Sequence, residues 1–139
     1  MAVIKNQFKL MGRVGKYNKE QVVDFKYFDS GKCCAKIRLG VRAGQNKDGS
    51  QKWDNIFITF WNTDKNNIAE QVAEYLREGD YIQVIGKIRL QEFTPESMQG
   101  QVDANGNQKK VQRVDLVGTS YKRVRYNEEM EDFEIVEAQ

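Results

Sequence analysis

The chain has 139 residues, 40% hydrophobic and 30% charged, which makes one domain with room for a core; no run approaches the ~20 apolar residues of a membrane-spanning helix. Histidine is absent, so triads and zinc sites that depend on it are excluded, and no catalytic residue, metal or other cofactor is expected. The net charge of +2 hides an asymmetry: Asn127 to Gln139 hold six of the 20 acids and no base, leaving 22 Lys and Arg against 14 acids in the first 126 residues, a net of +8, and a basic body with an acidic end points to nucleic-acid contact.

Met1 to Lys5 lack the apolar stretch of a secretory signal, so a cytoplasmic protein is expected. Asn6 to Val14 reads as a strand with Phe8, Leu10, Gly12 and Val14 on one face and Gln7, Lys9, Met11 and Arg13 on the other. A glycine inside such a strand suits the bend of a barrel corner. Gly15 to Glu20 is a turn region, and Gln21 to Phe28 is an extended piece with weaker alternation, closed by the turn residues Asp29-Ser30-Gly31. Lys32 to Ala43 alternates most clearly. Cys33, Ala35, Ile37, Leu39 and Val41 form its inner face, and Cys34, Lys36, Arg38, Gly40 and Arg42 its outer one. The adjacent cysteines therefore point apart and make a poor disulfide.

A polar loop, Gly44 to Lys52, leads to Trp53–Trp61, whose β-branched and aromatic content suits a strand. Ile56, Ile58 and Phe60 make an ordinary core face. The opposite face sets Trp53, Phe57 and Trp61 beside Asn55 and Thr59; rings so placed suit either a second buried face or a stacking platform for unpaired bases. Ile68, Val72, Tyr75 and Leu76 recur at helical spacing, with Asn62, Thr63 and Asp64 as candidate N-caps and Gly79 as candidate C′ residue, so a helix is predicted over about Asp64 to Glu78. Its Glu70, Glu74 and Glu78 read as solvated face residues.

Tyr81 to Phe93 is the next strand, with Ile82, Val84, Gly86, Ile88 and Leu90 inward and Tyr81, Gln83, Ile85, Lys87, Arg89, Gln91 and Phe93 outward. A polar loop, Thr94 to Lys109, precedes a last strand over Lys110 to Val117. Five strands with one helix between the third and fourth predict an all-β OB-fold, a five-stranded Greek-key barrel, over residues 1–124. Residues 125–139 form an acidic tail expected to be disordered.

Outside such a barrel the strands present Arg13, then Lys36, Arg38 and Arg42, then Trp53, Phe57 and Trp61, then Lys87, Arg89 and Phe93. Cations interleaved with exposed rings are what sequence-tolerant binding of single strands needs, since bases stack while Lys and Arg neutralise phosphates. Each of these charges taken singly is also consistent with solubility alone. Tyr81 and Ile85, apolar and outward, favour a subunit interface.

The ordered motifs resemble the bacterial and phage single-stranded DNA-binding protein family from Asn6 to Val124. They are Asn6-x-Phe8-x-Leu10-x-Gly12-Arg13-Val14; Lys26-Tyr27-Phe28-Asp29-Ser30-Gly31 leading into Ala35-x-Ile37-x-Leu39; Trp53-x-Asn55-Ile56-x-Ile58; and Asn67-Ile68-Ala69-Glu70 through Glu78-Gly79 into Ile82-x-Val84-x-Gly86-x-Ile88-Arg89. The resemblance implies an OB-fold that coats single-stranded DNA in replication, recombination and repair, as a homo-oligomer with a tetramer favoured over a dimer. It implies stacking at the positions of Trp53 and Phe93, and a further family aromatic falls on Thr59 here. It also implies recruitment of replication or recombination proteins by the acidic tail, here Asp132, Phe133, Glu134 and Ile135, although Glu137-Ala138-Gln139 stands where the family ends in Pro-Phe. The first loop, Lys16 to Lys26, is longer than usual and the Gly/Pro/Gln-rich linker is missing, departures that point to a phage or plasmid protein. Two other readings stay open: an RNA-binding OB module, since stacking does not read the 2′-hydroxyl, and a protein-interaction scaffold that binds no nucleic acid.

Overall fold

The computed structural model describes residues 6–94, 99–102, 104–108, 110–127 and 132–138. Among these residues seven strands, β1 (Phe8–Gly15), β2 (Val23–Tyr27), β3 (Cys33–Gln45), β4 (Gln51–Trp61), β5 (Tyr81–Phe93), β6 (Val111–Asn127) and β7 (Asp132–Ala138), accompany one helix, α1 (Ile68–Tyr75), between β4 and β5. Five of the strands close a ring. β1 pairs with β5, β5 with β6, β6 with β4, β4 with β3, and β3 returns to β1. Every junction is antiparallel except β4–β6, which is parallel over Ile58–Phe60 against Leu116–Gly118. This is the OB-fold barrel that the strand order predicts, with β2 added to β3 and β7 added to β6.

The period-two pattern decides what fills it. Ala35, Ile37, Leu39, Ile58, Phe60, Ile82 and Val84 are each 0% exposed and form one cluster with Val14, Cys33 and Tyr121. The apolar stripe of α1, Ile68, Ala69 and Val72, with Leu76 beyond it, joins the same cluster, so the helix seals the barrel. Gly12 sits where β1 crosses β3; a Cβ there would strike the Gly40 carbonyl oxygen. At Gly86 a Cβ would strike the Val117 carbonyl oxygen and the Phe8 ring, and the β5–β6 register shifts between Ile85 and Gly86.

The helix is shorter than its apolar spacing predicts, because tight turns take both ends. Thr63 and Asn66 pair with each other before it begins, and Asn62 rather than Asp64 serves the helix start, its Oδ1 accepting from the Ala69 N–H at 2.7 Å. At the far end Leu76 is already extended. Arg77 N–H donates to Asp80 Oδ2 at 2.9 Å, and Gly79, at φ +94°, donates its N–H to the Val14 carbonyl at 2.8 Å. Gly79 therefore shapes the turn into β5 instead of ending the helix.

Several expectations are corrected. The acidic segment expected to be disordered contains β7, antiparallel to β6, and β6 itself runs ten residues past Val117 to Asn127. In that register the backbone of Glu137 stands opposite Arg123 and that of Glu134 opposite Arg125, a pairing that composition alone did not reveal. Ile88 and Leu90, read as inward, are 41% and 63% exposed, because β5 and β6 continue beyond the barrel as a two-stranded arm. Cys34 and Gln83, read as outward, are buried. No helix among the described residues is long and apolar enough to cross a membrane.

Gly12→Ala is expected to destabilise the fold by about 1–3 kcal/mol, the usual range for overpacking, seen as a lower urea midpoint; an unchanged midpoint would mean that β1 and β3 tolerate the extra methyl. Burial raises the thiol pKa of Cys33, with the Glu70 carboxylate adding to it, and burial raises that of Cys34. The folded state thus disfavours both thiolates, and this share of stability is complete below the ordinary thiol range and lost as pH rises through the raised values. Both free thiols are expected to resist an aromatic disulfide reagent at neutral pH until urea unfolds the chain. Rapid labelling of the native protein would contradict their burial.

Candidate nucleic-acid interface

Ring closure lines up the outward residues of four strands. Lys36 of β3 pairs with Thr59 of β4, Thr59 with Val117 of β6, and Val117 with Lys87 of β5. One same-face step further along, Arg38 pairs with Phe57, and Asp115 with Arg89. Arg42 lies opposite Trp53. Same-face neighbours on a strand are about 6.8 Å apart. The surface therefore sets cations on β3 beside rings on β4, with the β5–β6 arm supplying further cations on the far side.

Two concavities lie on this surface. The larger, ≈ 920 Å³, gathers Lys36, Phe57, Thr59, Trp61, Lys87 and Arg89. The smaller, ≈ 370 Å³, gathers Arg13, Arg38, Trp53 and Asn55. The rings are accessible: Trp53 is 46%, Phe57 55% and Trp61 37% exposed. They stand on β4 opposite the buried Ile58 and Phe60, so the aromatic face is not a second core face. Phe57 is braced edge-on by Tyr17, with centroids 5.6 Å apart and planes at 88°. Phe28 stacks on Trp61 at 5.6 Å and 25°, covering one side of the indole.

Lys36, Arg38, Lys87 and Arg89 make no ion pair among the described residues, which leaves their charges for solvent or ligand. Arg42 donates from Nε to Gln51 Oε1 near the turn of the β3–β4 hairpin. Nine of the ten nucleic-acid residues read from the sequence thus lie on this surface or at its margin. The tenth, Phe93, has its backbone opposite Val111, and its side chain lies outside the described structure. The tail residues Asp132, Phe133, Glu134 and Ile135 are paired through β7 with Asn127, Tyr126, Arg125 and Val124, and their side chains too lie outside it.

Sequence reading missed Tyr17, Lys32, Arg113 and Asp115, all of which line the larger groove, and the bracing role of Phe28. Tyr17 and Phe28 lie in turns, where no periodicity assigns a face. Arg113 and Asp115 alternate with Val114 and Leu116, which was legible, but which face met the groove depended on the β4–β6 junction. No cluster of His, Cys, Asp and Glu that could hold a metal occurs among the described residues.

Residues 5–118 match the model of the single-strand binding protein family, and the chain belongs to that family. No curated protein matches it. Membership implies binding of single-stranded DNA, by a family of binding proteins rather than enzymes.

Both tryptophans are expected to report the ligand. Trp61→Phe leaves Trp53 as the sole indole and Trp53→Phe leaves Trp61, and each variant should lose fluorescence on addition of a dT oligomer. If either indole stays at full intensity at saturation, the strand does not pass over that part of β4.

Proposed function

We propose that the protein coats single-stranded DNA without regard to sequence, stacking bases on Trp53, Phe57 and Trp61 and neutralising phosphates with Lys36, Arg38, Lys87 and Arg89. The observation that carries this reading is the in-register alternation of unpaired cations and accessible rings across four joined strands. Every base has a flat face, so stacking is tolerant of sequence, and it needs bases that are not already paired. Duplex DNA would therefore bind poorly. Coating of this kind serves replication, recombination and repair, where strands are transiently unpaired.

The outward side of β1 and β5 supports a further part of the proposal, a homo-oligomer. Met11 pairs with Gln83, Lys9 with Ile85 and Arg13 with Tyr81. Gln83 is buried and Met11, Tyr81 and Ile85 are only partly exposed, so this face is more apolar than the groove face. A tetramer is the favoured assembly, and a mass measurement in solution decides between it and a dimer.

A dT oligomer should quench the intrinsic fluorescence at low salt, while a matched duplex should not. With four cations in play, log K against log[salt] should fall with a slope of about −3. Trp53→Ala should weaken binding by about 1–3 kcal/mol, whereas Glu74→Ala on the helix should leave it unchanged. Equal losses in the two variants would overturn the assignment. Tighter binding of a matched RNA oligomer in competition would transfer the site to RNA.

A further inference from the structure

The larger groove contains an acid among its cations. Asp115 lines it and lies opposite Arg89 in the β5–β6 register. Its carboxylate accepts two hydrogen bonds from Arg113 of the same strand, Nε to Oδ1 at 2.9 Å and Nη2 to Oδ2 at 3.3 Å. The same Nη2 also donates to Gln91 Oε1, across the arm, at 2.8 Å. The Arg113 side chain is 57% exposed and that of Asp115 25%. A solvated pair of this kind contributes little to stability, whereas its position counts for binding, because it removes one cation from a phosphate-facing surface and adds a fixed negative charge.

We propose that Asp115 is a built-in brake on nucleic-acid binding, a positioning residue that holds Arg113 along the arm and away from the phosphates. This rests on the reading of the groove as a single-strand site. A phosphate entering beside Arg89 meets the Asp115 carboxylate and must compete with it for Arg113. Gln91 fixes the same guanidinium from the neighbouring strand, so Arg113 is held on two sides before any ligand arrives. The groove therefore grips through Lys36, Lys87 and Arg89 with one cation in reserve, which keeps a bound strand easier to displace.

The test is titration with a dT oligomer across a salt series, comparing wild type, Asp115→Asn, Arg113→Ala and the double variant. Asn keeps an oxygen that accepts from Arg113 but carries no charge. Asp115→Asn is expected to bind roughly three- to tenfold more tightly at about 50 mM salt, with a salt slope steeper by about 0.7, the increment for one added phosphate contact on a single strand. Arg113→Ala alone is expected to change affinity less than about twofold, and in the Asp115→Asn background it should cancel most of the gain. An Asp115→Asn protein that binds no tighter, with an unchanged slope, overturns the brake. So does an Arg113→Ala protein whose slope is shallower by about 0.7, since Arg113 would then already hold a phosphate; this arm stands by itself should Asp115→Asn fail to fold. A wild type that binds no oligomer sinks the single-strand reading, whereas normal wild-type binding with either of the preceding results overturns the brake alone.

Discussion

Three residues of parallel pairing, Ile58–Phe60 against Leu116–Gly118, hold the two halves of the candidate binding surface together. On the inner side of this junction Ile58 and Phe60 are fully buried, and the Phe60 ring lies where a Cβ on Gly118 would be. The same ring meets Tyr121 edge-on, at 6.1 Å and 74°. On its outer side Thr59 meets Val117. The β3–β4 hairpin carries the rings and some cations, and the β5–β6 arm carries cations and the groove acid Asp115. Were the junction to open, the ring of strands would become a curved sheet ending in these two pieces, and no groove would lie between them.

Exposed rings and exposed charge consequently come from different parts of the fold. Among the described residues, the accessible rings Trp53, Phe57 and Trp61 all come from β4, whose inner face is locked into the core, so their backbone spacing is fixed before any ligand arrives. Charge comes from both sides and is less uniform. Lys36 and Arg38 project from a strand whose alternate residues are buried, whereas Lys87 and Arg89 project from an arm that leaves the barrel. Asp115 and Arg113 sit on that arm too. Affinity can therefore be tuned on the arm without disturbing the core that positions the rings.

Periodicity made much of this legible. Where a strand has one buried face, alternation assigns every side chain, and the core of β3 and β4 and the outward cations follow from it. It failed where the environment changes along a strand. Ile88 and Leu90 continue the inward phase of β5 past the end of the barrel, so the same pattern that buries Ile82 and Val84 leaves these two exposed. Cys34 and Gln83 err in the opposite sense, since their outer faces are covered by neighbours that alternation does not see. Composition reads the acidic end as unstructured, yet β6 leaves an edge beyond its junction with β4, and the backbone of β7 pairs with that edge. An open strand edge of this kind is a product of the tertiary fold, which local sequence does not reveal.

The resemblance places the family's aromatic two residues before Trp61, on Thr59. The structure gives a physical reason for an aromatic here. Phe28, from the turn after β2, already covers one side of the indole, and Lys32 lines the same groove. An indole held on one side loses less freedom when a base covers the other, so its orientation is partly set in advance. Thr59, between Lys36 and Val117, has no such brace and lies on the floor between cations. Displacing the ring from Thr59 to Trp61 lengthens the platform by about 6.8 Å toward the helix. It thereby links the stacking face to the turn after β2, a part of the chain that periodicity left unassigned.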